Sequence, residues 1–205
     1  MKTLAILITV LIFNDKYTEQ MTKNIEVVYK STSVEDLQNA VNVFERIGGA
    51  EKTKWEPYYY ASFGYIMIAV KQTDGAKKDS YLDLATTSLG KATAIKSDES
   101  EIAALEGFIH MLRVSVDPAS RGQKYSTMAM QSYGKAISLN PENPRALALM
   151  AQLQFGTAQF FKQEPVEACE TARKASALFE GKSPDISIAP SWGRGMTEEL
   201  VKGCK

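Results

Sequence analysis

The sequence predicts an all-α solenoid of about four stacked helical hairpins, followed by a short C-terminal capping helix. Apolar residues recur at helical spacing almost everywhere after residue 16, and alternating strand patterns are lacking. One passage also occurs twice: SLGKATAIKSDESEIAALEGF begins at Ser88, and the similar SYGKAISLNPENPRALALMAQ begins 44 residues later at Ser132. A single hairpin leaves one apolar face exposed, and stacking similar hairpins buries these faces, which explains the repetition.

Helical periodicity and turn residues together place nine helices along the chain. They span, in order, residues 16–30, 34–48, 55–72, 78–95, 99–115, 124–139, 143–158, 165–180 and 193–203. Turn signals separate them at Gly48-Gly49, Asp74-Gly75, Asp117-Pro118, Asn140-Pro141, Gly156, Gly181 and Pro190. Ser33 offers a hydroxyl cap before an acidic first turn, and Ser97 does so before a later helix.

The passage AMQSYGKAISLNPENPRALALMAQ, beginning at Ala129, resembles a tetratricopeptide repeat (TPR). In that family the second helix of a hairpin carries a small residue, a bulky one, an alanine and a following proline. Ala129, Tyr133, Ala136 and Pro141 match these positions, and Ala151 holds the small-residue position of the next hairpin. Looser copies of the helix pattern are Ala40, Phe44 and Ile47; Ala85, Leu89 and Ala92; and Ala168, Ala172 and Ala175. The resemblance covers roughly residues 16–180 and implies a TPR-like solenoid.

The copies are longer than the family period of about 34 residues. Equivalent alanines lie 45, 44 and 39 residues apart. We expect the excess to form insertions at one edge of the solenoid, at about residues 72–80, 114–125 and 157–164. In the middle insertion, Arg113, Arg121 and Lys124 flank a turn, which predicts either a solvated loop or a lip that contacts an anionic partner or the peptidoglycan layer.

The N-terminus resembles an export signal. Lys2 precedes an unbroken apolar run from Leu4 to Phe13, which is too short to span a bilayer. A small-residue cleavage site is lacking, so a buried first helix or strand is the alternative. We therefore predict a signal-like segment at residues 1–15 and a single domain at residues 16–205. This start, together with DPASRGQKY and the APSWG…CK ending, resembles exported TPR proteins of Bacteroidetes-type bacteria and implies a periplasmic or secreted location.

The two cysteines, Cys169 and Cys204, are candidates for a disulfide in an exported protein. The bond would close a loop of about 35 residues, worth roughly 3–4 kcal/mol in the chain-entropy model. In a cytosolic protein both would be free thiols. Because no histidine lies near them in the sequence, they do not predict a zinc site.

Composition and motifs point away from catalysis and from nucleic acid. Lys and Arg total 24, as do Asp and Glu, so the chain lacks the positive surplus of a general nucleic-acid binder. The one histidine, His110, takes the same repeat position as Tyr65 and Gln154, which predicts a structural role within its hairpin. Nucleophile, Walker and dinucleotide motifs are absent. The sequence therefore predicts a protein that is not an enzyme and has no cofactor or metal.

Binding residues follow from the TPR resemblance, in which the first helix of each hairpin lines a concave groove. The corresponding candidates are Tyr59, Phe63, Ile66, Phe108, Met111, Arg145, Gln152 and Phe155. This largely apolar floor suits a helix or an extended peptide. Its only cation is Arg145, which disfavours capture of a peptide's terminal carboxylate. The alternative is that these residues belong to the core or lie under the insertions or the C-terminal tail.

The sequence thus predicts a non-catalytic TPR-type scaffold that binds a protein or peptide partner in the cell envelope and does not span the membrane. The alternative is a small-ligand or glycan-binding helical protein, with Trp55, Tyr58 and Tyr59 as stacking surfaces. An open apolar groove would favour the first, and a closed pocket with a few converging polar groups the second.

Overall fold

The computed structural model describes the backbone of residues 2–181 and 188–204 and the side chains of residues 16–181 and 188–204. These residues form nine α-helices, with no β-strand among them. The helices are α1 (Lys2–Lys30), α2 (Val34–Ala50), α3 (Glu56–Val70), α4 (Gly75–Ile95), α5 (Ser100–Val114), α6 (Pro118–Leu139), α7 (Pro144–Phe160), α8 (Val166–Glu180) and α9 (Arg194–Gly203). Consecutive helices pack in pairs from α1–α2 to α7–α8, and α9 packs on α8 and α7. The predicted stack of helical hairpins with a C-terminal cap is confirmed.

The repeat positions coincide with the close contacts between helices. In α6, Ala129, Tyr133 and Ala136 are fully buried. Tyr133 packs over Gly107 of α5, where an added Cβ would lie 2.3 Å from a ring carbon of Tyr133. The corresponding small position of α7 is Ala151, which is also fully buried. Small residues therefore stand where paired helices approach closely, as the TPR register predicts.

The extra residues of each copy lengthen helices, and the prediction of long insertions was wrong in this respect. The turns within the hairpins are only 71–74, 115–117 and 161–165. Asp74 caps α4 by accepting a hydrogen bond from the Lys77 amide, and Asp117 caps α6 by accepting one from the Ser120 amide. Pro118 stands in the first turn of α6, where its missing amide hydrogen costs nothing. Asp-Pro is thus a helix start here.

The basic residues of the predicted middle insertion are paired within the chain. Arg113 forms an ion pair with Asp83 at 2.6 Å, and Arg121 forms one with Asp79 at 2.8 Å. Lys124 lies over the ring of Tyr125 at 5.3 Å from its centroid. These contacts hold α4, α5 and α6 together, so the two arginines do not form a free lip for an anionic partner.

The helix α1 continues through the predicted boundary at residue 15. The side chains of the signal-like segment 1–15 lie outside the described residues, so the export signal stays a prediction. Within the described part of the chain, no helix combines the length and the apolar character needed to cross a membrane.

Candidate binding groove

The predicted groove residues lie on α3, α5 and α7, but most of them are covered. Tyr59 and Ile66 are fully buried, and Phe63 and Arg145 are each 4% exposed. Phe108, Met111 and Phe155 are half-buried, and only Gln152 is exposed. The structure brings four of the eight together around one residue that the sequence did not assign to the groove. Tyr59, Phe63 and Phe108 contact the Trp192 indole, and Arg145 hydrogen-bonds the Trp192 carbonyl.

Trp192 belongs to residues 188–193, an irregular stretch between α8 and α9 that we call the C-terminal segment. Its indole stacks on Phe63, with ring centroids 4.8 Å apart and planes at 24°. It also stacks on Phe108, at 5.9 Å and 23°. The indole Nε1–H donates a hydrogen bond of 2.9 Å to the Tyr59 hydroxyl. The groove floor therefore holds one flat ring by two stacked faces and one polar edge.

The backbone of the C-terminal segment is held by side chains of the groove. The Tyr60 hydroxyl donates to the Ile188 carbonyl at 2.9 Å, and the Ser191 amide donates to the Tyr29 hydroxyl at 3.2 Å. Arg145 Nη1 donates to the Trp192 carbonyl at 3.4 Å. This arrangement, with side chains binding the backbone of an irregular segment, is how a solenoid would hold a separate peptide.

The polar groups beneath the segment carry little free charge. Burial, with the nearby Glu101 charge, raises the pKa of Tyr59 well above its ordinary value, and burial raises that of Tyr60, so both hydroxyls stay neutral. The Arg145 guanidinium donates two hydrogen bonds of 2.6 Å to the two carboxylate oxygens of Glu101. This fork compensates the charge of Arg145, so its role in the groove is to join α5, α7 and the segment.

Gly193 joins the C-terminal segment to α9 with a backbone angle φ of +105°. A Cβ at this position would lie 3.1 Å from Phe179 Cζ and 3.2 Å from Arg145 Cγ. Only glycine adopts this conformation readily, so the turn into α9 depends on it.

Cys204, just after α9, forms a disulfide with Cys169 of α8. The end of α9 lies over Phe155, since a Cβ at Gly203 would be 3.6 Å from its ring.

The other four predicted residues are not among those that stack on Trp192 or hydrogen-bond it. They are Ile66, Met111, Gln152 and Phe155. Ile66 belongs to the core, and Met111 packs beside the buried residues of α5–α7. The alternative stacking surface is also not one open platform. Trp55 meets Tyr59 edge-on at 5.5 Å, whereas the Tyr58 ring packs against Gly48.

Two cavities lie elsewhere on the surface. The larger, about 750 Å³, lies between α1 and α2 and is lined by Lys23, Asn24, Glu26, Val27, Lys30, Ser31, Thr32, Ser33, Asp36, Asn39, Ala40 and Val43. The smaller, about 300 Å³, is lined by Glu106, His110, Met128, Gln131, Ser132 and Lys135. His110 is half-buried there and stacks on Tyr125 of the same hairpin, at 6.1 Å. Within the described ranges, no three His, Cys, Asp or Glu side chains converge as a metal site would require.

Comparison with solved structures finds similar proteins, among them a haemophore and a TPR protein. The HusA haemophore from Porphyromonas gingivalis is 29% identical, with 92% of each chain covered and a TM-score of 0.80. The TPR protein TTC0263 from Thermus thermophilus is 15% identical, with 98% of this chain and 96% of that chain covered and a TM-score of 0.58. No protein-family model matches the sequence, and no curated protein matches it. The chain has a TPR-like fold, as the sequence predicts, and one of the proteins that it resembles comes from a Bacteroidetes bacterium.

Proposed function

We propose that this chain is an exported, non-catalytic carrier that binds a flat aromatic molecule of the tetrapyrrole class at its concave groove. The observation that carries the proposal is the seat of Trp192, where Phe63 and Phe108 each present a face at stacking distance. The similarity to a haemophore over 92% of both chains supports this ligand class.

The chemistry of the groove suits such a ligand. Stacked aromatic pairs are worth about 0.5–1.5 kcal/mol each beyond the area that they bury, so two parallel faces favour a flat conjugated ring. The hydroxyls of Tyr29, Tyr59 and Tyr60 supply the few polar contacts that orient a ligand on an apolar floor. The chain's one histidine, His110, lies against Tyr125 in a different cavity. The groove would therefore bind a haem by contacts with its porphyrin ring and not through a histidine ligand to its iron.

The Phe108→Leu substitution tests this proposal, because leucine keeps most of the apolar volume and removes the stacking face. We expect it to weaken binding of protoporphyrin IX by up to about tenfold, the equivalent of one lost aromatic stack. Absorbance and fluorescence titration of the purified protein measure the dissociation constant. Haemin titrated in parallel separates stacking on the ring from effects of the iron.

Phe160→Leu is the matched control, since Phe160 is 81% exposed at the end of α7. It carries the same chemical change and should leave the dissociation constant unchanged. Equal losses in the two variants, or equal affinities with and without Phe108→Leu when Trp192 is replaced by alanine in both proteins, would contradict binding on the Phe63 and Phe108 faces. Absence of saturable porphyrin binding both by the wild type and by a variant without the Trp192 indole would exclude the ligand class.

The proposal includes export to the cell envelope. The apolar run at residues 4–13 supports it, and so does the disulfide, which persists in oxidising compartments. We expect residues 1–15 to be missing from the protein recovered from the envelope, which mass spectrometry measures. Recovery of the complete chain would contradict a cleaved signal.

A second candidate function is binding of a protein or peptide partner. It is favoured by the way in which Tyr29, Tyr60 and Arg145 hold the backbone of the C-terminal segment. Crosslinking in native envelopes tests it, with Phe108→Leu as the groove variant. Substituting serine for Tyr59 or Phe63 would be uninformative, because both side chains are buried and the fold would suffer. A partner lost from the folded groove variant supports this function; equal recovery contradicts it.

A further inference from the structure

We infer that the C-terminal segment is a tethered occupant of the groove, which competes with the groove's ligand and leaves when the ligand binds. The inference rests on the proposed function, since the competing ligand is the proposed tetrapyrrole. In the structure, the groove is thus filled by the chain's own C-terminal segment, and Trp192 lowers the apparent affinity of the protein for the tetrapyrrole.

The first reason is that Trp192 and a ligand need the same surfaces. The indole already covers the faces of Phe63 and Phe108 at 4.8 and 5.9 Å. It also uses the Tyr59 hydroxyl as its hydrogen-bond acceptor. Atoms in a folded protein are close-packed, so a second ring cannot stack on these faces while the indole is present. Binding at the groove floor therefore requires Trp192 to move.

The second reason is that the segment is held by contacts that can be exchanged. It is not helical, and Ala189 and Ser191 are exposed, whereas Pro190 is buried. The groove binds it through side-chain hydroxyls and one guanidinium, while Ile188 and Trp192 are only half-buried. Segments with few buried apolar contacts and exposed backbone open at low free-energy cost.

The third reason is that the segment stays attached when it leaves. Gly193 forms the turn into α9, and α9 is anchored by the buried Thr197 and by the disulfide between Cys204 and Cys169. Arg194 also hydrogen-bonds the Phe179 carbonyl of α8. A short tether gives an effective concentration in roughly the millimolar range, so the segment returns when the ligand dissociates.

The loss of ligand affinity that the segment causes depends on the fraction of time for which the segment fills the groove. If the segment fills the groove about 90% of the time, the apparent affinity of the ligand falls about tenfold. Removing the indole should therefore tighten binding, which is opposite to the effect expected if Trp192 were a fixed wall of the ligand site.

The experiment uses wild type and Trp192→Ala, both verified to be folded by circular dichroism. Protoporphyrin IX is titrated into each, and we expect Trp192→Ala to bind up to about tenfold more tightly. In ¹H–¹⁵N spectra, the indole resonance that Trp192→Ala removes identifies Trp192. We expect hydrogen exchange of that indole N–H to become faster when the wild type is saturated with porphyrin.

Trp192→Phe is the second variant, in case Trp192→Ala does not fold. It removes the indole N–H that donates to the Tyr59 hydroxyl and keeps an aromatic ring on the groove floor, so it should also tighten porphyrin binding, though by less.

The outcomes separate the inference from the function on which it rests. Binding by Trp192→Ala alone, or tighter binding by it, supports the occupant. Weaker binding by the variant, with the wild-type indole N–H still protected in the loaded state, overturns the occupant and leaves the carrier function standing. No binding by wild type, Trp192→Ala or Trp192→Phe overturns both.

Discussion

Gly107 has no space for a side chain. A Cβ there would lie 2.3 and 2.5 Å from two ring carbons of Tyr133, and the Tyr133 ring is itself fully buried. This one position therefore sets how closely α5 and α6 approach, and it explains why the repeat uses small residues at its equivalents.

The Gly107→Ala substitution tests this contact. We expect it to lower the free energy of unfolding by about 1–3 kcal/mol, because the methyl group overpacks a buried contact that cannot retreat. Urea denaturation of wild type and variant measures the change.

Gly134→Ala provides the matched control in the same hairpin. Nothing lies within 4 Å of a Cβ at Gly134, which is inside α6. Alanine there should raise the free energy of unfolding by about 0.5–1 kcal/mol, since it is the better helix former. If both variants shift stability alike, the contact between Gly107 and Tyr133 does not determine the spacing of α5 and α6.

At the scale of elements, α5 and α6 enclose the chain's one histidine. His110 stacks on Tyr125, and its Nδ1 is buried without a hydrogen-bond partner among the described residues. Burial lowers the pKa of His110, the nearby Glu106 charge opposes this, and the Arg113 charge adds to it. The folded state therefore takes up this proton less readily than the unfolded chain does.

The stability of the hairpin should consequently fall in mild acid. Because the folded-state pKa lies below the ordinary value of about 6.5, the stabilisation is complete above that pH and is lost as pH falls through the folded pKa. We expect the slope to stay below about 1.4 kcal/mol per pH unit, the limit for one proton, since the half-exposed ring is screened by solvent. Urea denaturation between pH 7.5 and 5.5 measures it.

Glutamine is the natural replacement at this position, because Gln154 stands at the equivalent place in α7. His110→Gln should flatten the pH dependence without disturbing the hairpin. A variant that keeps the wild-type slope would assign the pH dependence to other groups.

The helices could be predicted because their signals are local. Apolar spacing, Ser33 as the cap of α2 and the repeat alanines all act within a few turns of the chain. The start of α6 was misplaced because Asp-Pro occurs in turns as well as at helix starts. The helix that follows it here is held in part by the ion pair between Arg121 and Asp79 of a neighbouring hairpin, which the local sequence does not reveal.

The state of the groove could not be predicted in the same way. Tyr59 and Trp192 are 133 residues apart, and only the stacking of hairpins brings them together. Four of the eight residues that the TPR register selects lie where the segment packs. The repeat pattern ends before residues 188–193, so it makes no prediction for the C-terminal segment. The tryptophan between Pro190-Ser191 and Gly193, close before Cys204, was the available sequence signal.

At the scale of the whole molecule, the C-terminus closes the solenoid. The segment covers the groove between α3 and α5, and α9 covers the last hairpin, so both depend on how firmly the chain end is anchored. Terminal units of a solenoid contact a neighbour on one side only and are therefore its least stable parts. The disulfide between Cys169 and Cys204 is the covalent anchor at this end, with a sequence separation of 35 residues.

Replacing both cysteines tests the anchor. In Cys169→Ser/Cys204→Ser we expect the free energy of unfolding to fall by roughly 3–4 kcal/mol, the chain-entropy value for a loop of this length. We expect the local effect to be concentrated in residues 188–204, because α9 is a helix of 10 residues, too short to be stable without its packing and its anchor. Urea denaturation and amide hydrogen exchange measure the two effects, and faster exchange should appear in α9 and in the Ser191 amide while α3 stays protected.

Reduction of the wild-type disulfide with dithiothreitol is the control and should reproduce the pattern. Uniformly faster exchange along the whole solenoid would show that the bond stabilises the stack as one unit, and the C-terminus would then not be a separately opening cover of the groove.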